Sequence, residues 1–462
     1  MFHRHPRGGE ATPPLEARAV DRAFQEACAL EAAGERVAAR DAYIAILSAD
    51  PTHLGALTNL GTLLIYSGFK RAGRLAYAQA VASHPKDRRA RTNLAAALLD
   101  EGDAAAALEH YEAALAIDAR SIEAHQGLAL LHARNGAWER AHAQARLGFG
   151  AEPIRRAPAR GGAPRTPLLL LLSALGGNVD TERIVDADRY ACDVLVAEFY
   201  KPQMQIGAYP AIFNAIGDAE RCGTALAGAR RFLQTRRERV FNHPDAVGES
   251  SRERNAARMA TIPGLRAPRT VEMSKERAAT APFAFPVLLR SPGFHTGEYF
   301  QRVERREDIP TALAALPGDR ILAIEYLDTR SADGLFRKYR ALVVGDRLYP
   351  IHLARSQHWK VHYFSGERRE DREELAFLAD MHAALGERGV AVLERVRRML
   401  GLDYGGIDFT IDAEGTIVLF EANATMNLFA PPTDAAPERR RAYEAVRSAV
   451  SALLAAPGDG TP

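Results

Sequence analysis

The chain has 462 residues, enough for about three domains at roughly 150 residues each, and its 47% hydrophobic and 26% charged content is that of ordinary globular material with ample core. Lys and Arg number 60 against 58 Asp and Glu, a formal charge of +2, which argues against a dedicated nucleic-acid binder. Three scattered cysteines (Cys28, Cys192, Cys222) exclude a disulfide framework or a cysteine-built zinc site.

The first third is rich in alanine and repeats itself. Gly34, Gly68, Gly102 and Gly136 are spaced by 34 residues, as are Tyr43, Tyr77 and Tyr111, and Pro51 and Pro85 keep the same step. Asn59-Leu60-Gly61 aligns with Asn93-Leu94-Ala95. In such a period the small residues (Ala27, Gly61, Ala95, Ala129) admit one helix close to the next. The glycine ends the first helix of each pair, the tyrosine fills the space between repeats, and proline closes the second helix. The pattern resembles the tetratricopeptide family, with about four repeats over residues 20–151 after a flexible start at 1–19. In that family the groove faces the first helix of each pair. The resemblance therefore implies a peptide or protein partner along Thr58, Thr62 and Tyr66, then Thr92, Ala96 and Asp100, then Gln126, Leu130 and Arg134, with Asn59 and Asn93 one place inward. Self-association into a homo-oligomer is the competing use of the array.

Residues 152–167 (EPIRRAPARGGAPRTP) combine proline, glycine and four arginines without periodicity, as a linker does. From Leu168 the pattern becomes α/β. Leu168–Leu175 is a buried strand ending at Gly176-Gly177, Asp193–Tyr200 and Ala211–Ile216 are two further strands, Ala225–Arg237 is helical, and Arg239–Phe241 is a short strand. The double glycine lacks the rest of a dinucleotide fingerprint.

The sharpest constellation lies near the C-terminus. Gly401–Asp408 (GLDYGGID), the turn Asp412–Gly415 and Ile417–Asn423 (IVLFEAN) predict a β-hairpin, with Asp408 on the first strand and Glu421 and Asn423 two apart on one side of the second. Acidic groups in otherwise apolar strands are costly to bury unless they hold a cation or a donor, and three converging oxygen ligands suit Mg²⁺. A surface hairpin with polar outer positions is the plain alternative.

GLDYGGIDF followed by FEANATMN resembles the metal-binding end of ATP-grasp ligases, in the branch that contains the ribosomal-protein glutamate ligase and the glutathione synthetases. The resemblance extends over roughly residues 168–430. It implies a pre-ATP-grasp α/β domain at 168–270, an α+β ATP-grasp domain at 271–432 and a C-terminal helix and tail at 433–462. It implies ATP and Mg²⁺ as cofactors, with Asp408, Glu421 and Asn423 at the metal. Phe285–Arg290 resembles the strand whose basic residue reaches the phosphates; the family usually has lysine, and here Arg290 stands there with more donors. Ser291–Gly297 resembles the mobile loop over the phosphates, with Gly293 and Gly297 as flexible points and His295 at its centre. Ile321–Leu327 resembles the hinge, where backbone groups of Glu325, Tyr326 and Leu327 would bind adenine. Phe336–Val344 resembles the segment that offers a base to the phosphates or the acyl intermediate; alternation places Lys338 and Arg340 on one face, and Arg340 best fits the family position. His352 and Arg355 follow on the next strand, Arg355 facing the site in one reading. Ser251–Pro268 resembles a lead-in helix that supplies another phosphate-binding base; Arg252 and Arg254 compete, and Arg254 is the one assigned to the nucleotide.

Family mechanism implies that ATP phosphorylates a substrate carboxylate and that a small amine or amino acid attacks the acyl phosphate to form an amide, with Arg290 and Arg340 neutralising charge. A peptide- or carrier-linked substrate suits the repeats. A kinase-like phosphotransferase and a nucleotide-sensing scaffold are the alternatives. Ser356–Phe364 (SQHWKVHYF) joins aromatic and basic residues. His358 and His362 would lie about 13 Å apart on a strand, too far to share a metal, so the segment reads as a substrate-facing or phosphate-facing loop, with a packing loop as the alternative. The opening MFHRHPRGGEATPP has no apolar core of a signal peptide, and the longest apolar run, Leu168 to Leu172, falls short of the roughly 20 residues a bilayer needs. A reducing cytoplasm without membrane attachment is the expected setting.

Overall fold

The computed structural model describes residues 17–157, 164–295, 297–361 and 371–455. Its contacts divide the chain into two compact units, the first built on Met1–Leu131 with Ala143–Gly148, the second on His132–His142, Phe149–Pro158 and Pro164–Pro462. The N-terminal region is a run of helices at the predicted period: α1 (Ala17–Ala32), α2 (Arg36–Ala49), α3 (Leu54–Tyr66), α4 (Lys70–Ser83), α5 (Arg88–Glu101), α6 (Ala104–Ile117), α7 (Ile122–Arg134) and α8 (Trp138–Phe149). Gly34, Gly68, Gly102 and Gly136 adopt positive φ between 70° and 91°, the left-handed turn that ends a helix and costs glycine nothing. Asp87 and Asp103 cap the helices that follow them by accepting from Ala90 and Ala106 amides. Ala27, Ala95 and Ala129 are fully buried, and a Cβ on Gly61 would stand 2.6 Å from the Tyr77 ring. The rings of Tyr43, Tyr77 and Tyr111 are thus packed where the small residues leave room.

The sheet-containing unit holds three sheets. In the first, β2 (Thr166–Leu172), β3 (Tyr190–Val196), β4 (Ala211–Asn214) and β5 (Arg239–Phe241) run parallel in the order β3-β2-β4-β5. The Leu168–Leu171 run is buried throughout, as a parallel strand covered on both faces requires. Helices α9 (Thr181–Ile184) and α10 (Gly223–Leu233) belong to its connections. The expected linker is only partly a spacer: β1 (Ile154–Arg155) adds an antiparallel edge to β3, and Arg156 pairs with Asp193 at 2.7 Å. Residues 158–163 of that stretch lie outside the described residues.

After α11 (Pro244–Gly248) and α12 (Arg252–Met259), β6 (Leu265–Arg266) crosses to another sheet. A four-stranded antiparallel sheet follows, from β7 (Thr270–Ser274), β8 (Val287–Arg290), β9 (Phe300–Val303) and β10 (Arg320–Glu325), in the order β7-β10-β8-β9, with α13 (Ile309–Ala314) against it. The last sheet joins β11 (Phe336–Val344), β12 (Arg347–Ser356), β13 (Tyr404–Ile411) and β14 (Ile417–Asn423), ordered β12-β11-β13-β14-β6 and antiparallel except for β6. Helices α14 (Arg372–Ala379), α15 (Met381–Leu400) and α16 (Pro437–Ala455) complete the unit.

The first and last sheets share one apolar cluster that runs from Leu168 through Phe213, Phe409 and Val450, whereas the middle sheet has its own smaller core around Leu289 and Ile321. Asn242, at φ +52°, ties the two larger sheets together. Its backbone amide donates to Asp403 Oδ2 (2.7 Å), its side-chain amide donates to Tyr404 O (2.8 Å), and its Oδ1 accepts from the Tyr404 amide (2.8 Å). Gly405 and Gly406 allow a close approach beneath the hairpin: a Cβ would meet Asn423 O at 2.7 Å and Met426 at 2.6 Å.

Candidate functional site

A cleft of about 270 Å³ is lined by the middle sheet, the last sheet and α12. The hairpin is formed as predicted: Asp408 pairs in register with Glu421, and Gly406 with Asn423. Asn423 Nδ2 donates to Glu421 Oε1 at 2.8 Å, so the two side chains share a face. On the neighbouring strand Arg340 stands opposite Asp408 and grips it with two hydrogen bonds, Nε–Oδ1 2.6 Å and Nη2–Oδ2 2.8 Å, while Lys338 Nζ reaches Oδ2 at 3.1 Å. Arg252 donates to Glu220 Oε2 (2.5 Å) and to Glu421 Oε1. His295 contacts Asp218 Oδ2 at 2.8 Å through Nε2 and lies 3.7 Å from Glu421 through Nδ1.

Burial makes these pairings strong. It pushes the Asp408 carboxyl up, but Arg340 and Lys338 more than offset it and hold the group well below the usual carboxylate range. Glu421 is likewise penalised by burial and brought far down by Arg252 and His295. Burial and then the His295 bond act on Asp218, which settles at about 2. Burial disfavours the His295 imidazolium, yet its bonds to Asp218 and Glu421 win and raise it to about 9. For Arg290 the balance goes the other way: burial and then the nearby Arg252 charge outweigh the more distant carboxylates Glu421, Glu220 and Asp218 and lower it to about 10. Its Nη2 donates to Phe294 O, its guanidinium stacks on Phe300 at 5.1 Å, and its buried Nε has no hydrogen-bond partner among the described residues.

The structure brings Arg290, His295, Gly297, Glu325, Tyr326, Leu327, Lys338, Arg340, Asp408, Glu421 and Asn423 to one cleft. Arg254 is not among them. It sits two places along α12, exposed, and pairs with Glu249 at 2.7 Å. Arg252 lies on the inward face instead, so the helix presents that residue to the cleft. Gly293 is also turned away, because its amide donates to Glu220 Oε2 at 2.9 Å. At the hinge, the Glu325 amide donates to Arg269 O at 2.9 Å and its carboxylate faces Arg269, so Glu325 does not offer its N–H to a ligand. Arg355 pairs with Asp371 at 2.6 Å, away from the cleft. Of Ser356–Phe364, Trp359, Lys360 and Val361 line the cleft, and His362, Tyr363 and Phe364 fall outside the described residues.

Asp218 and Glu220 are partners the sequence reading did not single out. They sit in the turn after β4. An acidic residue in a loop carries no signal by itself that it meets a basic helix start at Arg252. The magnesium ion implied by the resemblance can be tested against the donors. Asp408 and Glu421 supply hard carboxylate oxygens from facing strand positions, and fit with the Arg340 and Lys338 contacts on Asp408 and the Arg252 contact on Glu421 released. Asn423 Oδ1 accepts from the Thr425 amide and hydroxyl (3.0 and 2.9 Å), so it fits only with that contact released. Among the described residues no group of three or more His, Cys, Asp or Glu is spaced to hold a metal alone.

In the helical region a second pocket of about 290 Å³ is lined by Thr62, Tyr66, Asn93, Ala96 and Asp100, with the Lys70 side chain at its rim. Thr62 hydrogen-bonds Tyr77 (2.8 Å), and Lys70 pairs with Asp100 (2.5 Å). Other expected groove positions are used internally. Thr58 donates to Leu54 O, Thr92 is buried, Gln126 donates to Gly148 O, and Asn59 donates to the Tyr43 hydroxyl at 3.1 Å. Leu130 and Arg134 do not line this pocket.

No protein-family model matches the chain, and no curated protein sequence matches it. Solved structures similar to it include MamA from Desulfovibrio magneticus RS-1, 23% identical over 28% of this chain and 75% of that one, with a TM-score of 0.26. A crystal structure of MamA protein is 19% identical over 29% and 73%, with a TM-score of 0.27. A tetratricopeptide repeat protein from Parabacteroides merdae ATCC 43184 is 20% identical over 29% of this chain and 54% of its own, with a TM-score of 0.27. No helix among the described residues is long and apolar enough to cross a membrane.

Proposed function

We propose that the sheet-containing unit is an ATP-grasp ligase that joins a carboxylate to an amine through an acyl phosphate, and that the helical repeats recruit a peptide- or carrier-linked substrate. One observation carries the reading: four cations, Arg252, Arg290, Lys338 and Arg340, converge with two carboxylates on facing strands, and one of the cations, Arg290, keeps a buried donor without a partner among the described residues. Buried donors without acceptors are rare, and a polyanion supplies acceptors. The motifs GLDYGGIDF and FEANATMN and their order along the chain support the family.

In this reading the chain's work is positioning and charge neutralisation. Arg290 and Arg252 bind phosphate oxygens. Arg340 and Lys338 hold Asp408 ionised and stand where charge on the transferred phosphoryl group develops. Asp408 and Glu421 would hold Mg²⁺, which supplies further neutralisation of phosphate oxygens when bound. Leu288 and Ile324 give an apolar floor beside Tyr326 and Leu327 for a base. His295, held as an imidazolium, caps the site from the loop after β8.

The test is calorimetric titration of the full chain with ATP and magnesium, followed by incubation with pooled amino acids and mass spectrometry of the products. An amide product with ADP and inorganic phosphate supports the ligase. A stable phosphoester would identify a phosphotransferase, and nucleotide binding without turnover a sensor. No nucleotide binding would remove the proposal. For the repeats, Asn93→Ala and Tyr66→Ala should raise KM for the large substrate and leave ATP affinity unchanged. Equal KM, with a fall in oligomeric state by light scattering, would favour self-association.

A further inference from the structure

The charges around the cleft fall into two groups. Asp218, Glu220, Glu421 and Asp408 are each within hydrogen-bond distance of a cation, drawn from His295, Arg252, Arg340 and Lys338. That set is internally neutral when His295 carries its proton. Arg290 and Lys360 stand outside it, and among the described residues neither has a carboxylate within ion-pair distance. Arg290 is 7% exposed with its Nε unpartnered. Among the described residues Lys360 Nζ makes a 3.4 Å contact with Phe300 O. The two cations converge on one aromatic: Arg290 stacks on Phe300 at 5.1 Å, and the Trp359 ring stands edge-on to Phe300 at 5.1 Å and 76°. Burial and then the Arg290 charge lower the Lys360 ammonium, so the Arg290 guanidinium is close enough to disfavour a second cation there. Two like charges held together in a half-dry site are relieved by a shared anion.

We propose that Arg290 and Lys360 form a two-cation clamp on the phosphate chain of the bound nucleotide, with Phe300 and Trp359 as its wall. The proposal rests on the nucleotide-binding reading above and assigns a residue, Lys360, and a ligand to a segment that the sequence left open between substrate, phosphate and packing contacts. The clamp recognises a polyphosphate anion. A phosphate or carboxylate carried by the second substrate is the other source of the same chemistry.

Titration of the full chain with ATP, adenosine and inorganic tripolyphosphate, each with magnesium, separates the cases, using the wild type, Lys360→Ala and Lys360→Arg. The clamp predicts that Lys360→Ala weakens ATP and tripolyphosphate binding about ten-fold or more, the ordinary cost of a lost charged hydrogen bond. Adenosine affinity should stay within two-fold, and Lys360→Arg should restore most of the loss. If the wild type binds ATP and Lys360→Ala binds it equally well, the clamp is wrong and the nucleotide reading stands. An equal loss for adenosine would mean a structural role and would also overturn it. Lys360-dependent binding of tripolyphosphate without ATP binding would keep the clamp and remove the nucleotide. Binding of neither would remove both.

Discussion

The helical repeats and the cleft bury opposite kinds of material. Within the repeats the interior is uncharged, leucine and isoleucine with alanine, glycine and tyrosine rings, and at the close helix contacts what decides the packing is a fraction of an ångström between a missing Cβ and an aromatic face. In the cleft buried charge stands among apolar walls, and what decides a contact between the charged groups is whether each ion has its partner. The first kind of packing repeats, because the same steric problem recurs every 34 residues. The second does not, because its partners come from distant parts of the chain: Arg252 with Glu421, Arg340 with Asp408, His295 with Asp218. Substitutions in the repeats should therefore act locally and independently of salt and pH. Those in the cleft should couple stability to function.

The largest effect is expected from Asp408→Asn. It leaves Arg340 and Lys338 buried beside a neutral group, so turnover should vanish and urea unfolding should show a loss of about 3–5 kcal/mol. A variant that is inactive but fully stable would mean that the carboxylate faces only ligand and that the pairing is incidental. Arg290→Ala comes next: ATP affinity measured by calorimetry should fall about 10- to 150-fold, with a smaller loss of stability than Asp408→Asn, since Arg290 has no carboxylate among the described residues to abandon. Unchanged affinity would place the phosphates elsewhere. On the other side of the comparison, Gly61→Val forces carbon against the Tyr77 ring and the Gly73 carbonyl and should cost about 1–3 kcal/mol, equally at low and high salt, with ATP binding intact.

The smallest effect is the dependence on pH. His295 is raised from its ordinary 6.5 to about 9, so its contribution is complete below about pH 6.5 and is lost as the pH rises through about 9. Its side chain keeps 30% of its surface, so solvent screens part of the pairing, and a decline of about 1–2 kcal/mol is expected over that window. Asp218, held down at about 2, loses its share only as the pH falls from about 4 towards 2. His295→Gln should flatten the alkaline limb. An unaltered limb in that variant would shift the cause to another group.

Much of this was legible in the sequence where periodicity or alternation applied. The 34-residue step located the helix ends through Gly34, Gly68, Gly102 and Gly136, and alternation placed Lys338 with Arg340 and Glu421 with Asn423 on shared faces. Choices that depend on tertiary packing were not legible. Arg252 and Arg254 lie on the same short helix, and only the positions of Glu220 and Glu421 decide which of them turns inward. The composition of 152–157 reads as a spacer, yet two residues of edge pairing and one ion pair order its start. Asn59 repeats in register with Asn93, yet the Tyr43 hydroxyl claims the first and the pocket keeps the second.

The Asn242 tie between the two larger sheets has a consequence for how the unit opens. Three hydrogen bonds and a continuous apolar cluster make those sheets one cooperative block, while the middle sheet, with Arg290, relies on a core of its own. Native-state hydrogen exchange should then resolve two tiers. Amides of β2 and β13 should exchange together, only through global unfolding, and those of β8 and β10 should exchange at a lower free energy through a partial opening. Arg290 would ride on the looser tier and Asp408 on the tighter one, so ligand that bridges them should slow exchange in β8 more than in β13.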